Sequence, residues 1–128
     1  MYSKPEDVLN AWLTGVNNHD LPAILSLYHD TAVLIPTFSN RLLTGLEQIQ
    51  PYFEALAENR SPTIMVDDDS RKIDHIDQAI YNLYGTYTWQ FNADNSPEQA
   101  QARFTYTVNL ALSRPILHHH SSQVPENL

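Results

Sequence analysis

Three consecutive histidines followed by a serine form the densest group of potentially reactive side chains in this sequence. They are His118, His119, His120 and Ser121. Side chains alternate between two faces along a strand, so His119 points away from both of its histidine neighbours if the segment is extended. The three imidazoles then cannot bind one metal ion together, and we expect neither a zinc site nor a cofactor. A single histidine can still act as a base, because its ordinary pKa is about 6.5.

Arg103 is the second candidate for chemistry. It lies in a segment that alternates between apolar residues and uncharged polar ones, with Thr105 two positions later. A planar guanidinium group binds a carboxylate or carbonyl oxygen through its fork of N–H donors. Alternatively, it forms a structural ion pair with an Asp or Glu, and the sequence leaves both interpretations open.

Three aromatic residues with polar tips, Trp12, Tyr28 and Tyr52, lie in or beside segments with helical spacing. Such residues are typical of a core, although their polar atoms can also line the mouth of a cavity. Asn40 follows a predicted strand. A turn explains it adequately, and ligand contact is the second interpretation.

Composition excludes several classes of function. The chain has 128 residues, one domain's worth, and no cysteine, which excludes disulfides, thiolate zinc sites and cysteine nucleophiles. Fifteen acidic residues outnumber seven basic ones and give a net charge of −8, which opposes nucleic-acid binding. No apolar run approaches the roughly 20 residues of a membrane helix. The N-terminus has no apolar signal core, so we expect a cytoplasmic protein.

The elements that must position these residues follow from hydrophobic periodicity. Helical spacing predicts helices over residues 5–18 and 46–58, with a short helix after Asp20. A period of two predicts strands over 31–35, 63–66, 71–76, 79–91, 102–112 and 116–122. The expected fold is therefore α+β in one domain, 1–128, with three N-terminal helices packed across a curved antiparallel sheet.

The two longest strands each have one aromatic or apolar face and one polar face. The aromatic face includes Tyr87, Trp89, Phe104 and Tyr106, and the polar face includes Thr86, Arg103 and Thr105. Either the aromatic face packs on the helices, or it packs on a second copy while the polar face lines a pocket. We expect the second arrangement, because the polar face lacks the Lys and Glu that usually face solvent.

Two segments carry a family resemblance. They are residues 28–40, YHDTAVLIPTFSN, with Gly45, Ile49 and Tyr52-Phe53 downstream, and residues 102–106, ARFTY, with 116–125, ILHHHSSQVP. Together they resemble the bacterial relatives of the calcium/calmodulin-dependent kinase type II association domain. These relatives belong to the nuclear-transport-factor-2-like, or polyketide-cyclase-like, superfamily. The chain has no glycine-rich phosphate loop and no His-Arg-Asp motif, so it resembles the association module without a kinase.

The resemblance implies a cone-shaped α+β barrel with a deep cavity and a homodimer formed through the outer face of the sheet. Arg103 matches one of several arginines that point into the cavity of the kinase domains, and the others fall at Thr86 and Ser121. It also implies that His119 faces the cavity. The expected ligand-binding residues are therefore Arg103, His119, Ser121, Thr105, Thr86, Trp12, Tyr28, Tyr52 and Asn40.

Two functions remain open on the sequence. The first is a homodimeric module that binds a small polar or carboxylate-bearing molecule in its cavity. The second is an isomerase, dehydratase or cyclase that uses His119 for proton transfer. Enzymes of this superfamily generally need a cavity Asp or Glu, and the expected inward positions have none. We therefore expect no catalytic residue, no nucleic-acid partner and no membrane partner.

Overall fold

The computed structural model describes residues 2–92 and 98–125. It has three helices, α1 (Pro5–Asn17), α2 (Leu21–Leu25) and α3 (Leu46–Arg60). Pro5 begins α1 with acidic residues in its first turn, as the positive end of a helix dipole favours. The side chain of Asp20 caps α2 by accepting a hydrogen bond from the Ala23 N–H, at 3.1 Å. Gly45 precedes α3 at a φ of 78°, which favours glycine.

Seven strands form one sheet. They are β1 (Tyr28–Ile35), β2 (Leu43–Thr44), β3 (Pro62–Val66), β4 (Lys72–Asp77), β5 (Ile80–Phe91), β6 (Glu98–Asn109) and β7 (Ile116–Gln123). The order is β2-β1-β7-β6-β5-β3, with β4 also paired to β5. Only β1 and β7 run parallel. The sheet is curved and unclosed, and the prediction of an α+β fold with a mostly antiparallel sheet is confirmed.

Two strands pair with different parts of the same edge of β5, and Gly85 lies between those two parts. Residues 87–91 pair with β3, and residues 80–84 pair with β4. A Cβ on Gly85 would lie 2.7 Å from Cζ of Phe104, so only glycine lets that ring pack against the backbone here. Phe104, which lies opposite Gly85 in the sheet, is on the inner face and buried.

The helices cover the inner face of the sheet, and Trp12 of α1 lies at the centre of the core. Its ring stacks on Tyr87 with centroids 5.7 Å apart and meets Trp89 and Tyr106 edge-on, both at 5.9 Å. All four side chains are buried. The expectation that the aromatic face packs on a second copy is therefore wrong, because the chain's own helices already remove these rings from water.

The opposite face of the sheet is polar and faces away from the helices. We call it the outer sheet face. It consists of the even-numbered residues 82–90, the odd-numbered residues 99–109, and His118, His120 and Ser122. Its side chains also bond across strands, as Thr107 Oγ1 does by donating to Asn82 Oδ1 at 2.7 Å. The expectation that this face lines an internal pocket is also wrong, although Thr88, Gln90 and Gln99 at its β3 end line a surface groove of about 530 Å³.

The edge strand β3 is covered by side chains from the end of α1. Asn17 Nδ2 donates to the Ile64 carbonyl at 3.0 Å, and the Ile64 N–H donates to Asn17 Oδ1 at 2.7 Å. One carboxamide thereby satisfies both free backbone groups of Ile64, as a neighbouring strand would. Such coverage blocks the pairing of an edge strand with another chain.

The predicted elements agree with the structure closely in type and less closely in extent. The helices end within two residues of the predicted bounds, and β6 begins four residues earlier than predicted. Strand β2 was not predicted, because two residues show no periodicity. Among the described helices, none is both long and apolar enough to cross a membrane.

Candidate functional site

His119 and Ser121 are the polar side chains that β7 turns toward the helices. His119 lies opposite Tyr106, and Ser121 lies opposite Phe104, on the inner face of β6. Residues that lie opposite each other in a sheet point to the same face. Both side chains are almost completely buried. The expectation that His119 and Ser121 face the interior is therefore confirmed.

Two phenols hold the imidazole of His119, one at each nitrogen. Trp12 Nε1–H donates to Tyr28 Oη at 2.9 Å, and Tyr28 Oη lies 2.8 Å from His119 Nδ1. Because Tyr28 accepts from Trp12, its own proton is available for Nδ1. The proton of the neutral imidazole then lies on Nε2, which donates to Tyr87 Oη at 3.1 Å.

The hydrogen bonds continue from Tyr87 toward the surface. Tyr87 Oη donates to Ser121 Oγ at 2.7 Å, and Ser121 Oγ makes a short hydrogen bond with Thr37 Oγ1. Thr37 lies just after β1 and is half-buried. We call the six residues the polar chain: Trp12, Tyr28, His119, Tyr87, Ser121 and Thr37. If each member donates to the next, the last hydroxyl proton belongs to Thr37 and can be offered to a ligand.

The polar chain is neutral at physiological pH. Burial lowers the pKa of His119 well below 6.5, and the neighbouring His118 and His120 lower it further. Burial also raises the pKa of Tyr28 and of Tyr87 well above 10. In residues 2–92 and 98–125, no Asp or Glu is buried. The chain thus offers hydrogen-bond donors and acceptors without a charge.

Two buried polar atoms near the polar chain have no hydrogen-bond partner. They are Trp89 Nε1 and Tyr106 Oη. A buried donor without a partner costs about 1–3 kcal/mol, so native proteins rarely keep one without a reason. Tyr106 stacks its ring on His119 with centroids 3.9 Å apart. Trp89 instead lines a cavity, and its buried indole N–H has no partner among the described residues.

That cavity lies between the polar chain and α3. Its volume is about 10 Å³, roughly the space that one water molecule needs. Its lining consists of Trp12, Leu34, Pro36, Thr37, Tyr52, Phe53, Tyr87, Trp89, His119 and Ser121. The wall therefore includes three of the four hydroxyl-bearing residues of the polar chain, all except Tyr28. It also includes Trp89, whose indole N–H is unpaired.

A larger groove lies on the solvent side of Tyr52. It has a volume of about 220 Å³ and is lined by Phe38, Tyr52, Ala55, Leu56, Asn59 and Arg60. The Arg60 guanidinium lies 4.0 Å from the Phe91 ring centroid and 5.7 Å from that of Phe38. Burial raises the pKa of Tyr52, and the Phe38 backbone and the Arg60 charge offset part of that rise.

The structure separates the predicted ligand-binding residues into two sets. Trp12, Tyr28, Tyr52, His119 and Ser121 surround or adjoin the cavity. The others do not: Arg103, Thr105 and Thr86 lie on the outer sheet face, and Asn40 is exposed in the loop after β1.

The inward placement of Arg103, Thr105 and Thr86 is therefore a wrong prediction. Arg103 lies opposite Thr86 on β5, one residue out of phase with the buried Ala102 and Phe104. The aromatic residues that alternate with these three along β5 and β6 already fill the inner face. An internal carboxylate site built on Arg103 loses its basis.

Several residues of the site were not singled out from the sequence. Tyr87 and Trp89 share a strand face, and they would have followed from assigning that face to the interior. Thr37 and Arg60 come from a loop and from the end of α3, and no local signal marks them. Within the described ranges, no group of three His, Asp or Glu side chains is arranged to hold a metal ion.

Comparisons with known proteins agree on the fold. A family model described as the SnoaL-like domain matches residues 6–126. No curated protein matches the chain significantly. A solved Xanthomonas campestris structure, named for a calcium/calmodulin dependent protein kinase II association domain, is 27% identical with a TM-score of 0.84. That match covers 95% of this chain and 86% of the other.

Two more distant structures have the same fold. One is named for a dehydratase of the NTF2-like family from Streptomyces avermitilis, with 10% identity, a TM-score of 0.81, and coverage of 94% of this chain and 93% of that one. The other is a ketosteroid isomerase-like protein from Erwinia carotovora, with 15% identity, a TM-score of 0.75 and the same coverage. The resemblance inferred from the sequence is thereby confirmed at the level of the fold.

Proposed function

The chain belongs to the SnoaL-like domain family, and we propose that it is a stand-alone, non-catalytic module. In this proposal the module forms a homodimer and binds a small polar molecule at the internal cavity. A cytoplasmic location, expected from the sequence, is part of this proposal. The carboxylate-bearing ligand expected from the sequence needs a cation other than Arg103.

The polar chain supports the binding of a small molecule. It leaves the Thr37 hydroxyl proton available at one small cavity, and that cavity is also lined by Trp89, whose N–H has no hydrogen-bond partner among the described residues. A neutral carbonyl oxygen is the partner that fits these donors, because it accepts two hydrogen bonds and brings no charge into the interior.

The same geometry argues against proton transfer as the main function. A general acid or base works best with a pKa near the operating pH. Burial moves the pKa of His119 below that range, and it moves those of the two phenols beside it above that range. No carboxylate of the described residues orients the imidazole. The relatives named for enzymes are too distant to supply an activity.

The outer sheet face supports the homodimer. On β5, β6 and β7 this face has no acidic residue, and Arg103 is the single Lys or Arg there. Lys72 and Asp74 of β4 lie at its border, opposite Tyr84 and Asn82. Two copies with a net charge of −8 each repel one another wherever carboxylates meet. A face of Thr, Asn, Gln, His and Tyr avoids that repulsion and supplies hydrogen bonds, so it is where two copies can meet.

Binding at the cavity can be measured with benzamide, a small neutral carbonyl compound. The cavity has room for about one water molecule, so benzamide enters only if a side chain of its wall moves aside. The chain has two tryptophans, and both line the cavity, so fluorescence excited near 295 nm reports on its contents. We expect a saturable change on titration. Thr37→Val, which removes the last hydroxyl of the polar chain, should weaken binding about fivefold, the equivalent of one neutral hydrogen bond.

Thr31→Val is the matched control, because Thr31 makes the same chemical change at an exposed position of β1. It should bind benzamide as the wild type does. A wild-type signal that rises linearly without saturation would show that the tryptophans meet the probe only by collision, and it would refute binding in the cone.

A further inference from the structure

The groove and the cavity are separated by two side chains. Tyr52 lines both spaces. Phe38 lines the groove, and its ring meets Trp89, in the wall of the cavity, edge-on with centroids 5.4 Å apart. The ring also meets Phe91 at 4.9 Å. Phe38 therefore fills the space through which the groove would otherwise reach the cavity.

Phe38 lies in a loop that makes few hydrogen bonds to the rest of the fold. Within the described part of the chain, no backbone–backbone hydrogen bond joins residues 36–42 to a helix or strand. Side chains hold the loop instead, through the hydrogen bond between Thr37 and Ser121 and the contact of the Tyr52 side chain with the Phe38 backbone. Moving the Phe38 ring aside thus breaks ring contacts and leaves the sheet intact.

Arg60 places a positive charge at the outer end of this path. It is the single charged residue in the lining of the groove as far as the structure describes it. Its side chain lies 3.6 Å from the carboxylate of Glu98, which is 72% exposed. Such an exposed ion pair contributes little, so a ligand carboxylate can replace Glu98 at low cost.

We propose that the groove and the cavity are two ends of one binding site, which takes a small planar molecule with one carboxylate. The carboxylate binds the Arg60 guanidinium, and the planar body takes the place of the Phe38 ring against Trp89 and Phe91. This inference rests on the proposed function and names its ligand class. A single cation matches a singly charged group, whereas a phosphate, with up to two charges, would need more.

Benzoate and benzamide test this inference, because they have almost the same shape and differ in charge. Titrations with tryptophan fluorescence at about 0.15 M NaCl screen the repulsion from remote carboxylates. We expect the wild type to bind benzoate more tightly than benzamide. Arg60→Gln should weaken benzoate about tenfold and leave benzamide within twofold, since one charge-assisted hydrogen bond is lost.

Two further variants separate charge from shape. Arg71→Gln removes the same charge outside the groove, next to Asp68, and should leave both affinities unchanged. Phe38→Ala removes the ring that the ligand must displace, so it should tighten both benzoate and benzamide. Arg60→Lys keeps the charge without the planar fork and should bind benzoate with intermediate affinity.

The outcomes distinguish this inference from the proposed function. If benzamide binds but Arg60→Gln leaves benzoate unchanged, the carboxylate end at Arg60 is refuted while binding in the cone stands. If Phe38→Ala weakens both probes, Phe38 is a fixed wall of the site and the joined groove and cavity are refuted. If neither probe binds to the wild type or to Phe38→Ala, the proposed function fails as well.

Discussion

His119 is the residue on which the interior depends most. Its two ring nitrogens connect Tyr28 to Tyr87, and its ring packs against Tyr106 and Trp12. The hydroxyl proton of Tyr28 has an acceptor only while this imidazole is neutral, because a protonated ring must donate from both nitrogens. Protonation would force Tyr28 to accept from both Trp12 and His119 and to give up its own donation.

This arrangement predicts an acid-sensitive contribution to stability. The folded-state pKa of His119 lies below the unfolded value of about 6.5, so the unfolded chain binds the proton first as pH falls. The contribution is complete above pH 6.5 and is lost below it, until the folded-state pKa is reached. The free energy of unfolding should fall by up to about 1.4 kcal/mol per pH unit in that range.

Urea unfolding between pH 7.5 and 5.5 measures this slope. His119→Gln keeps a polar side chain that does not titrate, so its slope should be smaller than that of the wild type. His75→Gln makes the same chemical change at an exposed position of β4 and is the matched control. Equal slopes for the wild type and His119→Gln would contradict the prediction.

Among the elements, α1 has two tasks. It supplies Trp12 to the core, and its last residue, Asn17, covers the free edge of β3. Strand β4 is also at an edge, and Lys72, Asp74 and Asp77 make that edge charged. The edges of β3 and β4 are thus protected by different means.

Asn17→Ala should lower stability, because it leaves both backbone groups of Ile64 without a protein partner. Two lost hydrogen bonds correspond to about 1–3 kcal/mol, measured as a shift in the urea midpoint. Asn18→Ala changes the neighbouring exposed asparagine and should shift it much less. If the two variants are equally stable, the carboxamide is not the partner that β3 needs.

The elements also show what the sequence could predict. Alternation in β5 and β6 identified both strands, and the apolar periodicity of α1 and α3 identified both helices. The pairing register between β6 and β7 was not predictable, because the six residues between them, 110–115, set it through their backbone path. Tyr106 lies opposite His119, so Arg103 and His119 face opposite sides of the sheet, whereas the prediction from sequence had both inside.

The alternation alone also did not show which face of the sheet packs against the helices. An aromatic face suits the chain's own helices and a second copy equally well, since both remove the rings from water. The contact of Thr37 with Ser121 joins residues 84 positions apart, and no local pattern predicts such a contact. The candidate site was therefore predicted in part, through His119, Ser121, Trp12, Tyr28 and Tyr52.

At the scale of the whole molecule, we expect two copies to form the proposed homodimer through their outer sheet faces. We expect light scattering after size exclusion to give twice the 14.6 kDa of one chain. Thr105→Glu places a carboxylate in the middle of that face on both copies, between Tyr84 and His120, and should produce monomers. Thr14→Glu adds the same charge on an exposed face of α1 and should leave the dimer intact. A monomeric wild type would contradict the proposed pairing.

The position of β7 between β1 and β6 has a consequence for biosynthesis. The last of the seven strands along the chain separates the first strand from the middle of the sheet, and it brings His119 and Ser121 with it. On the ribosome, the aromatic rows of β5 and β6 are exposed in the nascent chain before their neighbour has emerged. The domain must therefore complete its interior after β7 leaves the exit tunnel, which makes it a candidate for chaperone protection while it is being made.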